Sequence, residues 1–320
     1  MTSEFDVIRQ YFQVAAKGIP LAVGDDAALL DIAPDHQLVT SADLLLEDRH
    51  FLPDTPPDTL GHKALAVNLS DLAAMGAKPL ACLLSLGLPS IDHAWLQQFA
   101  RGFHTLAKAA ACPLVGGDTT RSAQGLVVGV TVLGTVPRGA ALQRDAARTN
   151  DDVWLTGYLG AAYVGLQVLW GKQKVDAAQR ESLLKQLQSP QPPYGFAPHL
   201  QTIAHAAIDI SDGLMQDLGH LLAASNKGAE LDYQALPSHP AIQHLDARQL
   251  AEAVLTGGDV YQLCFTAPSE HRQTIRQLAK QHQVRVSCIG RVTEQKGIAI
   301  KHLPHPDLIP AQLGFDHFLD

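Results

Sequence analysis

The sequence predicts a two-domain chain in which strands alternate with helices, and three observations predict it. At 320 residues and 46% hydrophobic, the chain can bury a sizeable core and is long for a single one. Short β-branched runs alternate with segments of three- and four-residue apolar spacing. The pattern breaks once, in the polar stretch from Pro137-Arg138-Gly139 to Asn150-Asp151-Asp152. A boundary within 138–152 follows, with domains expected at 1–140 and 141–320.

In chain order, Thr2-Ser3-Glu4-Phe5-Asp6-Val7-Ile8 reads as a capped helix start. It lacks the basic region and apolar core of a secretory signal, so a cytoplasmic protein is expected. Pro79–Leu88 reads as a buried strand. Asp92 then caps a helix whose Leu96, Phe99, Phe103, Leu106 and Ala110 share one face, a core-packing pattern. Leu126–Val136 is a second buried strand, and the apolar stretch around it, 125–137, is broken by glycine and well short of the ~20 residues a membrane helix needs. Val153–Thr156 restarts as a strand, followed by a Gly-rich turn and a helix near Ala161–Trp170. Ser189-Pro190-Gln191-Pro192-Pro193-Tyr194-Gly195 is a loop. Cys82, Cys112, Cys264 and Cys288 are far apart and set among apolar neighbours, as buried thiols are. A net charge of −8 without any basic run argues against nucleic-acid or anionic-membrane partners.

Chemistry is concentrated in six short acidic segments that read as loops at the ends of apolar runs. They are Gly24-Asp25-Asp26, Ser41-Ala42-Asp43, Ser70-Asp71, Gly116-Gly117-Asp118, Asp209-Ile210-Ser211-Asp212-Gly213 and Gly257-Gly258-Asp259. Singly, each is ordinary turn or cap chemistry. Together, carboxylates in one cleft repel one another unless a cation sits among them, and the usual answer is Mg²⁺ carrying nucleotide phosphates. Ala66-Val67-Asn68-Leu69-Ser70-Asp71 also resembles Ala207-Ile208-Asp209-Ile210-Ser211-Asp212, 141 positions on, and the two Gly-Gly-Asp segments share that offset. Two halves with comparable acidic edges are therefore expected.

Familiar nucleotide motifs fail. Gly165 to Gly171-Lys172 misses the P-loop spacing, with Gln173 where Ser or Thr belongs, and no Gly-rich kinase loop or Asp-Phe-Gly is present. The 15 histidines form no His-Glu-x-x-His, and acidic oxygens suit Mg²⁺ better than zinc.

Val23-Gly24-Asp25-Asp26-Ala27-Ala28, Ser41-Ala42-Asp43, His50-Phe51, the Lys63 to Gly76 run containing Asn68-Leu69-Ser70-Asp71-Leu72-Ala73-Ala74-Met75-Gly76, Gly116-Gly117-Asp118-Thr119-Thr120, Ile208 to Leu214 and Gly314-Phe315-Asp316-His317-Phe318 occur in this order across nearly the whole chain. In them the sequence resembles the thiamine-monophosphate kinase family, within the superfamily that includes aminoimidazole ribonucleotide synthetase. The resemblance implies an α+β fold of two domains, the N-terminal one binding ATP and Mg²⁺ and joining two copies through its sheet. It also implies several Mg²⁺ ions, with ATP and thiamine monophosphate as substrates. Matched by position, Asp26, Asp43, Asp71, Asp118, Asp209 and Asp212 are the metal ligands, with Ser41 and Ala42 touching metal. Gly117, Asp118, Arg144 and Ser211 touch the nucleotide, and His50, Asp259 and Phe315 the acceptor. Lys63 reads as structural.

The implied reaction passes the γ-phosphoryl of ATP directly to the phosphate of thiamine monophosphate, giving thiamine diphosphate by in-line transfer. No catalytic base is expected, because a phosphomonoester with a second pKa of roughly 6 is already largely deprotonated at neutral pH. Two departures stand out: Ala42 where the family commonly has Thr, and Asp259-Val260-Tyr261-Gln262 where it usually has Glu-Asp-Tyr-Glu. The second bears on the acceptor pocket. Competing readings are another ATP-using enzyme of the superfamily, such as a selenophosphate synthetase or a hydrogenase-maturation protein, and a non-catalytic nucleotide-binding dimer.

Overall fold

The computed structural model describes residues 3–24, 26–310 and 312–315. Thr2, Asp25 and the Asp316-His317-Phe318 end of the last motif lie outside these residues. The chain divides into two compact units, one of residues 1–72 and 77–139, the other of Ala73–Gly76 with the chain from Ala140 onward.

In the first unit, α1 (Glu4–Val7) starts at Ser3, whose hydroxyl accepts the Asp6 N–H while the Asp6 carboxylate accepts the Ser3 N–H. Then come β1 (His36–Leu46), α2 (Pro57–Ala74), β2 (Lys78–Leu88), α3 (His93–Ala109), β3 (Leu114–Arg121) and β4 (Val127–Pro137). The sheet order is β1-β4-β2-β3, with β2 and β3 parallel and the other pairs antiparallel. Asp92 caps α3 by accepting the Ala94 and Trp95 N–H groups, and Leu96, Phe99, Phe103 and Leu106 are buried on its inner face. One side of this sheet is packed; the other leaves Leu38, Leu44 and Leu46 of β1 exposed.

The second unit contains β5 (Asp152–Thr156), α4 (Ala161–Leu169), α5 (Ala177–Gln188), β6 (Ala206–Ile210), α6 (Leu214–Ala224), β7 (Gly228–Asp232), α7 (Ala247–Leu255), β8 (Gln262–Ala267), α8 (Arg272–Gln281), β9 (Val286–Thr293) and β10 (Gly297–Lys301). Its six strands run in the order β10-β7-β9-β5-β8-β6. The central β5 is buried throughout, so its run Asp-Val-Trp-Leu-Thr does not alternate. Cores lie on both faces, one around Ile208, Leu218 and Val254, the other around Trp154, Phe196 and Phe265.

The acidic segments are not all loops. Ser41-Ala42-Asp43 lies within β1, Gly116-Gly117-Asp118 within β3, and Ser70-Asp71 within α2. From Pro57 to Ala74 the chain is rich in Leu and Ala, with Gly61 as its sole glycine, so helix formers carry the Ser-Asp pair through. The internal repeat also dissolves at this point. Residues 66–71 are helical, whereas 207–210 are strand and 211–213 a loop. Similar residues fill the two places because a buried apolar run preceding Ser-Asp suits either a buried helix or a buried strand.

Candidate active site

In the first unit, Ser41 and Asp43 share the packed face of β1 and meet Asp71 from α2. The Ser41 hydroxyl donates to Asp71 Oδ2 at 2.6 Å. The Asp43 N–H donates to Asn68 Oδ1 at 3.0 Å, and Asn68 Nδ2 donates to the Ala64 carbonyl at 3.0 Å. Asn68 is fully buried and sits one helical turn from Asp71, so it fixes the strand against the helix that carries the second carboxylate. Asn68 stands in the motif run without an implied role of its own; an amide inside an apolar run is the signal that marks it. Burial, and next the charge of Asp71, push the Asp43 carboxyl up to about 6.

Asp26 is exposed in a loop whose flanks are bridged from Leu21 to Leu29. Asp118 pairs in register with exposed Ser85, and the period of two puts it on the opposite side of β3 from buried Thr119. Ala42 is exposed, between Ser41 and Asp43 and so on the open face of β1. Gly117 has a structural reason of its own: at φ +151, a Cβ there would lie 1.8 Å from the Leu84 carbonyl. His50 closes a turn by accepting the Leu46 N–H on Nδ1 at 2.9 Å, which leaves the ring proton on Nε2. Lys63 is buried within α2.

In the second unit, β6 delivers the other residues. Asp209 is buried opposite Leu263 of β8, and the strand ends at Ile210, before Ser211-Asp212-Gly213. This loop meets both acceptor-type residues through main-chain bonds. The Asp259 N–H donates to the Ser211 carbonyl at 2.7 Å, Tyr261 N–H to the Ile210 carbonyl at 2.7 Å, and Phe315 N–H to the Asp212 carbonyl at 3.1 Å. Gln216 Nε2 donates both to Asp212 Oδ2, at 3.3 Å, and to the Phe315 carbonyl, at 2.8 Å. Asp259 and Tyr261 have φ of +58° and +51°, a conformation that costs a Tyr on the order of 1 kcal/mol and is held by those bonds. The Tyr261 hydroxyl donates to Asp259 Oδ1 at 3.1 Å. Asp217 accepts the N–H groups of Ser211, Asp212 and Gly213. Burial first, then the charge of Asp212, push its carboxyl up to about 7 against those donors. Gln216 and Asp217 carry no sequence signal of their own, lying just beyond the Ile208–Leu214 run that carries the resemblance. Arg144 is exposed and lies beside the start of β6, where Gln143 bridges Ala206, not at the Ser211 end.

Two residues of the Asp259–Gln262 departure have structural explanations. Val260 is buried in the core around Ile208. Gln262 Oε1 accepts the Thr156 hydroxyl at 2.8 Å while its Nε2 donates to the Gln191 carbonyl at 2.9 Å.

Among the described residues no group of three or more His, Cys, Asp or Glu side chains is drawn into a metal-holding arrangement. The donor chemistry nonetheless fits Mg²⁺. Ser41, Asp43 and Asp71 offer only oxygens, and the Asp43 carboxyl, raised by burial first and by the charge of Asp71 second, is one whose ionised form a hard cation would stabilise.

Residues 24–136 match the N-terminal domain of AIR synthase-related proteins, and residues 148–302 their C-terminal domain. Fold and acidic segments thus define an AIR synthase-related protein with two α+β domains. The thiamine-monophosphate kinase of Escherichia coli K12 is 39% identical over 321 residues, covering 98% of each chain. The crystal structure of thiamine-monophosphate kinase from Stenotrophomonas maltophilia K279a is 41% identical at a TM-score of 0.84, covering 89% of this chain and 92% of that one. AaThiL complexed with AMPPCP and TMP is 29% identical at a TM-score of 0.78, covering 93% and 92%. The chain belongs to the thiamine-monophosphate kinase family.

Proposed function

We propose that this chain transfers the γ-phosphoryl of ATP to the phosphate of thiamine monophosphate, giving ADP and thiamine diphosphate. The observation that carries the reading is the bonded loop of the second unit, in which Ser211 and Asp212, at nucleotide and metal positions, share main-chain bonds with Asp259 and Phe315, at acceptor positions. Family membership supports it, as do the two molecules bound together in AaThiL.

Asp26, Asp43, Asp71, Asp118, Asp209 and Asp212, with Ser41 and the Ala42 backbone, would hold several Mg²⁺ ions. Such ions supply positive charge among phosphates that would otherwise repel one another. Gly117 and Asp118, Ser211 and the Arg144 guanidinium hold the nucleotide. Phe315 offers a ring to the cationic thiazolium, Asp259 a carboxylate to the same cation, and His50 a donor at Nε2. These groups align the acceptor oxygen with the γ-phosphorus. None has to remove a proton, because the acceptor phosphate carries a second pKa of roughly 6. Alignment and charge neutralisation therefore make up most of the catalysis.

A second copy of the chain is inferred on the open face of the first sheet. Leu38, Leu44 and Leu46 are each more than a third exposed there, next to half-buried Leu83, Val127 and Leu133. No helix among the described residues is long and apolar enough to cross a membrane, in keeping with a cytoplasmic site of action.

The test is ADP and thiamine diphosphate formation with thiamine monophosphate present and absent. Stoichiometric production of both, dependent on the acceptor, is expected. ATP consumption without the acceptor would favour a different enzyme of the superfamily, and binding without turnover a non-catalytic dimer.

A further inference from the structure

Helix α6 begins without a side-chain cap at Gly213, the residue just before its first turn. Three successive backbone N–H groups, those of Ser211, Asp212 and Gly213, converge in front of it. Such a concavity ordinarily attracts an anion such as phosphate. Here the anion is built in. Asp217, only 4% exposed, turns its carboxylate back so that Oδ2 receives all three N–H groups, at 3.0, 3.0 and 3.1 Å.

The carbonyls of the same segment are also spoken for. Ile210, Ser211, Asp212 and Gly213 accept from Tyr261, Asp259, Phe315 and Asp217 respectively. The carbonyls from 210 to 213 are therefore all accounted for, and the N–H groups of 211 to 213 rest on one atom of Asp217. Gly213 adds a constraint: its φ is +133, and a Cβ would come 2.6 Å from the Thr256 carbonyl, so no larger residue fits at this point of the loop.

We propose that Asp217 is a positioning residue of the phosphoryl-transfer site: it fills the anion nest of the 211–213 loop and thereby holds Ser211 and Asp212 in register with Asp259 and Phe315. Phosphate groups are then excluded from the start of α6, and the loop presents the Asp212 side chain instead of its own N–H groups. The role in turnover rests on the kinase reading of the preceding section; the role in holding the loop does not.

Asp217→Ala and Asp217→Asn separate the outcomes. Hydrogen exchange read by mass spectrometry needs no turnover. In Asp217→Ala, peptides covering 211–213 should exchange at least about tenfold faster than wild type, with 259–261 following and β5 unchanged, because three bonds to one acceptor oxygen are lost together. Asn keeps one acceptor oxygen and should fall between. Unchanged exchange at 211–213 in either variant overturns the proposal, and the Asn variant serves alone should Ala fail to fold. In turnover, Asp217→Ala should lose about 100-fold in kcat, as a displaced reactive loop does, while Asn recovers most of it. A folded Asp217→Ala enzyme with faster loop exchange and wild-type kcat would overturn the positioning role. Failure of the wild-type enzyme to phosphorylate thiamine monophosphate would instead overturn the kinase reading and leave the exchange result standing.

Discussion

Two partly buried carboxylate pairs, one in each unit, are built for opposite ends. In the first unit Asp43 lies beside Asp71, and the polar groups around them, the Ser41 hydroxyl and the Asn68 amide, bond one carboxylate and the backbone of the other residue. In the second, Asp217 lies beside Asp212 and is saturated by three backbone N–H groups. Both Asp43 and Asp217 are pushed up, to about 6 and about 7, by burial first and the neighbouring carboxylate second. Similar electrostatic strain thus has two resolutions. The N-terminal pair suits an external cation, whereas in the C-terminal pair Asp217 serves the backbone and Asp212, at a proposed metal position, accepts from Gln216.

If that contrast is right, the largest effect belongs to the N-terminal pair. Asp71→Asn should lower kcat by at least about 100-fold at saturating Mg²⁺ while the unfolding transition stays cooperative, because an amide neither repels Asp43 nor neutralises a cation. Asp43 should also become easier to ionise, so the metal-free variant should be no less stable than wild type at neutral pH. Near-normal turnover in Asp71→Asn would erase the distinction between the two pairs.

A one-sided effect should come from the acceptor residues. Phe315→Ala removes a ring from a cation and should cost on the order of 0.5 to 2 kcal/mol of acceptor binding, read as a KM for thiamine monophosphate raised about 2- to 30-fold with KM for ATP unmoved. Asp259→Asn should show the same pattern, and Asp259→Glu should keep activity. A rise in both KM values would mean that the 211–213 loop transmits the damage to the nucleotide side. His50→Ala should also raise the acceptor KM more than it lowers kcat, since its imidazole is a binding group and not a base. A collapse of kcat with acceptor KM unchanged would assign it a proton-transfer role.

The fold was largely legible in the sequence. The Asp92 cap and the Leu96-Phe99-Phe103-Leu106 face gave α3 because cap and period agree, and Leu126–Val136 reads as β4 within a residue. The candidate site residues rest on motif position, and their geometry was not legible. Ser41 and Asp43 share a face only because β1 runs unbroken from 36 to 46, and Asp71 joins them only because α2 continues through Ser70. A short Ser-Asp pair after an apolar run cannot distinguish helix from strand, and the false repeat followed from that degeneracy. Asn68, Gln216 and Asp217 have roles that the sequence does not signal, for a different reason. Their partners are backbone groups 25, 99 and four to six positions away, and side-chain identity does not encode those partners.

The smallest effect on catalysis should come from Gln262→Glu, which restores a residue the family commonly carries. Gln262 has a two-sided bond: it accepts from Thr156 and donates to the Gln191 carbonyl. A carboxylate keeps the first bond and turns the second into oxygen facing oxygen, a loss of about 1 to 2 kcal/mol. The midpoint of thermal unfolding should fall by a few degrees at neutral pH, with both KM values near wild type. The pH dependence gives the sign. Protonation restores a donor, so the folded-state pKa of the new carboxyl is raised above the unfolded value of about 4.3, and the deficit is present above the folded pKa and shrinks as pH falls toward the unfolded one. A pH-independent deficit would point to packing. A shift in the acceptor KM instead would put Gln262 in the acceptor pocket, and the second unit would then hold a third ligand-facing position beyond Asp259 and Phe315.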